Sequence, residues 1–233
     1  MKMYYYPYYG FDLGYLLLIP AILLTLYAQG RVRSTFHKYL NVRNMRGYTG
    51  AEVARAILDR NGLKDVHIEP VGGYLTDHYD PRARVLRLSP QVYNGTSIAS
   101  ISVAAHEAGH AIQHGIGYVP LTLRNTIAPI ASFGAQAVWF LVFAAFAFQM
   151  FALIDLGIVL YLAAVIFQVI TLPVEFNASS RALEQLKVNG FITAEEISPS
   201  QKVLNAAALT YVAAMAVSIA QLLRLLLLRN RRD

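Results

Sequence analysis

The chain has no cysteine, and only 15% of its 233 residues are charged. The first absence excludes a disulfide framework, a thiolate metal site and a cysteine nucleophile, so any metal must be held by histidine and carboxylate. The second excludes an ordinary soluble surface, since globular domains carry about 25% charged residues. Acidic residues are also scarce, 14 against 20 basic, for a net charge of +6. Such a balance can mean nucleic-acid binding, but the basic residues sit beside apolar runs. Arg31, Arg33, Lys38, Arg43 and Arg46 follow the first run, and Arg229, Arg231 and Arg232 follow the last. That placement fits lipid headgroups and topology signals, and nucleic acid is not expected as a partner. There is no internal repeat, and the only biased segment is the tyrosine tract Met1–Gly10 (MKMYYYPYYG), a composition suited to the membrane interface.

What the chain has in abundance is apolar length: 56% of its residues are hydrophobic. Phe11–Ala28, Ile127–Met150, Leu153–Leu172 and Asn205–Leu228 are each long enough to cross a bilayer. The first reads as a retained anchor. Ala28-Gln29-Gly30 loosely resembles a signal cleavage site, but the basic residues come after the run rather than before it. The second and third are split by a short loop with Asp155 and no basic residue, which predicts a tight transmembrane hairpin. Pro173 marks the exit of the third span, with a helix expected over Val174–Val188. Ser198-Pro199-Ser200-Gln201 reads as a capping box opening the last helix.

The polar block between the first two spans carries the chemistry. Thr49-x-x-Glu52 is a capping box for a helix to about Arg60, closed by Asn61-Gly62. Asp65–Val71 and Arg82–Ser89 read as strands joined by the turn-rich GGYLTDHYDP. Asn94-Gly95 then turns the chain, and Thr96 or Ser97 caps a helix containing His106-Glu107-Ala108-Gly109-His110, an H-E-x-x-H motif. Residues four apart on a helix project the same way, so both imidazoles can grip one metal ion. Glu107 stands about 100° round from His106, where it can hold the water that a metal polarises. The small residues Ala104, Ala105, Ala108, Gly109 and Ala111 let another element approach the histidine face.

A tetrahedral zinc needs one more protein ligand besides water. By spacing alone Glu175 and Glu184 are level candidates. His114, one turn past His110, reads as a lining residue. His78 and Tyr79 in DHYDP could donate a hydrogen bond to an oxyanion. The competing reading there is a turn with Asp77 and Asp80 as caps. His37 and His67 have no motif context, and Arg181 reads as surface charge.

The H-E-x-x-H motif followed, after a transmembrane hairpin, by Glu175-Phe176-Asn177-Ala178-Ser179 is similar to the integral-membrane gluzincins, such as the CAAX prenyl proteases and the HtpX heat-shock proteases. LTDHYDP (Leu75–Pro81), the L-x-L-S run at Leu86–Ser89, AAHEAGHAIQH (Ala104–His114) and LPVEFNAS (Leu172–Ser179) resemble the YugP-like neutral zinc metallopeptidases of bacterial membranes. The resemblance implies one Zn2+ per chain held by His106, His110 and Glu175, with Glu107 as the base. Ser179 departs from the HtpX pattern, where an Asp is common, which puts support of a ligand histidine in doubt.

The resulting expectation is a mainly α membrane protein with four transmembrane helices and a zincin-like α+β catalytic block with a small β-hairpin or sheet. Residues 1–30 form the N-terminal segment and first span, 31–124 the catalytic block, and 125–172 the hairpin of spans. Residues 173–204 form the Glu-ligand helix and linker, and 205–233 the last span and basic tail. The expected activity is endopeptidase cleavage of peptide or membrane-protein substrates beside the bilayer of a bacterial cell membrane. The basic residues flanking the spans put the catalytic block on the cytoplasmic side. The alternative is a non-catalytic membrane protein with a structural zinc. A metal transporter is disfavoured because the spans hold almost no ionisable residues.

Overall fold

The computed structural model describes residues 13–230, so the tyrosine tract Met1–Gly10 and the end of the basic tail lie outside the described residues. A 3-10 turn at Leu13–Leu17 leads into α1 (Leu18–Leu40), followed by α2 (Gly50–Arg60) and the strands β1 (His67–Pro70), β2 (His78–Asp80) and β3 (Val85–Leu88). Then come α3 (Pro90–Tyr93), α4 (Ile98–Gly115), α5 (Val119–Ala147), α6 (Ala152–Val188) and α7 (Ala194–Asn230). Among the described residues four helical stretches, Gly14–Leu40, α5, α6 and α7, are long and apolar enough to cross a membrane. The architecture is a mainly α membrane protein with a small sheet.

Local chemistry sets several of these elements. Thr49 caps α2 reciprocally: its hydroxyl accepts from the Glu52 backbone N–H, and the Glu52 carboxylate accepts from the Thr49 N–H at 2.8 Å. Of the two cap candidates for α4, Ser97 takes the role, its hydroxyl accepting from the Ser100 N–H at 3.0 Å. Substituting such a cap by alanine typically costs about 1 kcal/mol.

Three expectations need correction. The two long strands do not pair as a hairpin. β1 and β3 lie parallel, and the GGYLTDHYDP connector itself contributes β2, antiparallel to β3, for the order β1-β3-β2. Pro173 does not divide a span from a separate helix, because α6 continues through it to Val188. Nor does Ser198 open the last helix: α7 starts at Ala194 and contains Pro199. The cap that starts it is earlier and one-sided. The Glu196 carboxylate accepts from the Thr193 N–H at 2.8 Å, and its other oxygen takes the Met45 N–H at 2.8 Å. An internal proline forfeits one backbone hydrogen bond, and both of these helices outlast it because their flanks are packed on both sides.

That packing forms two cores. One lies among the spans and includes Ala131 and Val138 of α5, Tyr161 and Ala164 of α6, and Leu225 of α7. The other joins α2, the sheet and α4 to the ends of long helices: Phe36 and Tyr39 of α1, Ala182 and Leu186 of α6, and Val203 and Leu204 of α7. Each of those three helices leaves its apolar span and runs on as part of the block around α4, which ties the site rigidly to the membrane segments.

Candidate metal centre

On α4, His106, Gly109, His110 and Gln113 fall at i, i+3, i+4 and i+7, one stripe of the helix. On α6, Glu175, Ala178 and Ser179 fall at i, i+3 and i+4. The two stripes face each other. A Cβ added at Gly109 would stand 2.8 Å from the Ala178 carbonyl oxygen, so the backbones touch where any larger residue would hold them apart. The small residues of the motif thus serve the close approach expected of them.

This contact brings Glu175 Oε2 within 3.3 Å of His106 Nε2 and 3.4 Å of His110 Nε2. The three ligand atoms all lie within 4.8 Å of one another, and all three residues are buried. Glu184 is exposed on the same helix and takes no part.

The protonation of the site follows from its partners. Gln113 Nε2 donates to the Val174 carbonyl at 2.8 Å and to Asn177 Oδ1 at 2.9 Å, so the amide oxygen must be the atom 3.0 Å from His110 Nδ1. That oxygen only accepts, so Nδ1 carries the proton and Nε2 presents a lone pair. Ser179 Oγ lies 3.2 Å from His106 Nδ1 and can fix that ring the same way, so serine fills the position where Asp was expected. Glu175 Oε2 is a buried acceptor without a hydrogen-bond partner. With the His106 ring held in the same tautomer as His110, two imidazole lone pairs and a carboxylate oxygen converge on one point, an unfavourable set unless a cation sits among them. The donor set, two nitrogens and one oxygen, suits zinc.

Arg124, near the start of α5, holds the other carboxylate oxygen, with Nη1 2.9 Å from Glu175 Oε1. Burial alone would raise the Glu175 pKa; in the metal-free chain the adjoining His106 and His110 rings, when they turn an Nε2–H to the carboxylate in place of a lone pair, outweigh burial and hold the carboxyl well below the usual carboxylate range. Glu107 shows the opposite balance. Burial, opposed by His106 and reinforced by Glu175, pushes its carboxyl up to about 7.

A cavity of about 180 Å³ opens onto the cluster, lined by Asp77, His78, Tyr79, Glu107, His110, Arg124, Glu175 and Tyr211 among others. The DHYDP segment is thus brought to the site, although its side chains are already engaged. His78 Nδ1 lies 2.8 Å from the Thr76 carbonyl and must donate to it, leaving Nε2 a donor only when the ring is protonated. The Tyr79 hydroxyl pairs with His114 Nδ1 at 2.8 Å, and that pairing, not the metal cluster, is where His114 is found. Asp80 caps its turn by accepting from the Arg82 and Ala83 N–H groups, while Asp77 accepts from the Ser89 N–H and hydroxyl. Arg181 bonds to Asn177, and His37 and His67 are exposed.

Sequence reasoning passed over three residues of this site. Arg124 and Tyr211 belong to no motif along the chain. Gln113 lies three residues after His110, a spacing that could have marked it as a partner on the same stripe.

Comparison with known proteins agrees with this geometry. Residues 14–230 match a family described as "Putative neutral zinc metallopeptidase". The chain is also similar to the "Putative membrane protease YugP" of Bacillus subtilis (strain 168), 53% identical over 218 residues, covering 93% of this chain and 97% of the relative. No solved structure matches.

Proposed function

The chain belongs to the family of neutral zinc metallopeptidases, and from that premise we propose that it is a multi-pass membrane endopeptidase of the gluzincin type. His106, His110 and Glu175 are its metal ligands and Glu107 is its base. A zinc ion bound there supplies Lewis acidity, which lowers the pKa of water and polarises a carbonyl. Glu107 takes a proton from the attacking water and returns it to the amine released as the C–N bond breaks. The Tyr211 hydroxyl also lines the cavity and hydrogen-bonds to Glu175, which places a third phenol or imidazole donor beside the cluster with His78 and Tyr79.

The observation that carries this reading is the convergence of three buried acceptor atoms beside a buried Glu107 at the foot of a cavity. A purely structural zinc site is closed by protein ligands, whereas this cluster is reached from a cavity, which disfavours the non-catalytic alternative. β2 is an edge strand lining the same cavity, so an extended polypeptide can add alongside it. Because both ligand helices are continuous with or tied to apolar spans, the substrate is a polypeptide lying near the bilayer. The catalytic block faces the cytoplasm, on the basic side of the spans. Cleavage of casein or a membrane-protein substrate by the purified protein should stop on chelation and return with added zinc. Cleavage insensitive to metal removal contradicts the proposal.

A further inference from the structure

A second cavity, of about 240 Å³, meets the first at Asp77, Glu107 and Tyr211, which line both. Its walls change character away from that junction. Val32 and Phe36 come from α1, Leu75 from the connector before β2, Val103 from α4, and Val203 and Ala207 from α7. Apart from the shared residues and Thr210 and His106, this lining is apolar. The reacting groups therefore stand where a polar cavity gives way to an apolar one.

Leu75 supplies an independent observation. Its φ is +56°, in the left-handed region that residues with a side chain avoid at a cost of roughly 1–2 kcal/mol. A glycine would hold that backbone without strain, yet the position carries leucine, half-buried against the core and facing this cavity. Strain of this kind persists where the surroundings fix it, and it concentrates at ligand-binding sites. What the leucine contributes here is a piece of apolar wall.

We propose that this cavity is a specificity pocket of the peptidase, seating a bulky aliphatic or aromatic side chain of the substrate residue adjoining the scissile bond. The inference rests on the peptidase reading above. The volume suffices: an apolar cavity of about 150 Å³ accommodates a benzene ring. A charged side chain would lose its hydration among these walls without a partner along most of their length. One extra or missing methylene in such a pocket shifts selectivity by roughly ten- to two-hundred-fold.

The test is the cleavage of a set of quenched peptides by zinc-loaded protein in detergent, the peptides varying one residue at a time through Ala, Leu, Phe, Lys and Glu, with cut sites mapped by mass spectrometry. Wild type should prefer Leu or Phe at one position beside the cut. Ala207→Phe, which fills the pocket, should lower the Leu-to-Ala ratio of kcat/KM at least tenfold. Leu75→Gly, which keeps the backbone and removes the wall, should flatten the discrimination between Leu and Phe, and its melting temperature reports separately on folding. If both variants keep the wild-type profile, or if Lys or Glu is preferred beside the cut, the pocket assignment falls while the peptidase reading stands. If wild type cleaves nothing, both fall together.

Discussion

Gly109 and Ala178 touch through their backbones: a Cβ on Gly109 would come to 2.8 Å from the Ala178 carbonyl oxygen, between His110 on one helix and Glu175 on the other. The contact fixes how closely the two ligand-bearing helices lie. Helix propensity alone predicts that Gly109→Ala stabilises α4 by about 1 kcal/mol. The contact predicts the reverse, a loss of about 1–3 kcal/mol, because backbone must move to admit the methyl. Zinc affinity should fall with it as the ligands part. Thermal melting and zinc titration in detergent check this, and a more stable variant with unchanged affinity would refute it.

The third ligand can be identified by metal content. Glu175→Ala should lose most bound zinc after dialysis, since it removes a buried ligand atom, whereas Glu184→Ala, an exposed change, should retain it. Full occupancy in Glu175→Ala would show that another residue completes the site.

Glu107 makes the metal-free protein pH-sensitive. Its carboxyl titrates near 7 in the folded chain against about 4.5 in an exposed one. Between those values the folded state holds a proton that the unfolded state has released. Stability therefore falls as pH rises from about 4.5 to 7, by on the order of 3 kcal/mol in all, and levels off above. Glu175 is depressed rather than raised, so its contribution is lost only as pH falls below the ordinary carboxylate range. Melting curves of zinc-free wild type and Glu107→Gln should diverge across this window, the variant lacking the decline. Parallel curves would mean Glu107 is not buried as described.

Much of this site was legible along the chain, and the reason is periodicity. The stripe of His106, Gly109 and His110 is local, as are the caps at Thr49 and Ser97, so a helical reading finds them. Choosing Glu175 over Glu184 needed the tertiary contact or the resemblance, because spacing does not say which face of α6 meets α4. The parallel β1–β3 pairing and the strand inside the connector were hidden for the same reason: partner and register are set by distant segments. Pro173 and Pro199 misled because a proline announces a lost hydrogen bond locally, while the packing that offsets it comes from elsewhere in the fold. Arg124 and Tyr211 carry no pattern of their own and acquire a role only when α5 and α7 deliver them to the cavity.

Orientation is open to a fusion test. If all four apolar helices cross, Arg31, Arg33, Lys38, Arg43 and Arg46 would share a side with Arg124, Arg181, Lys187 and Lys202, opposite the side that holds the fewer basic residues. Alkaline phosphatase, active only outside the cytoplasm, should work when fused after Asp233 and stay silent when fused near Gly72. The reverse pattern would place the site outside the cell.

The central claim is that Glu107 moves the proton while His106, His110 and Glu175 hold the metal, and Glu107→Gln separates the two roles. The amide keeps the shape of the side chain and cannot accept the proton, a loss of typically about 10²–10⁴-fold in such sites. Zinc content and peptide cleavage should be measured on the same purified preparation. The account predicts wild-type zinc with cleavage reduced by at least 10²-fold. Wild-type zinc with undiminished cleavage would contradict it.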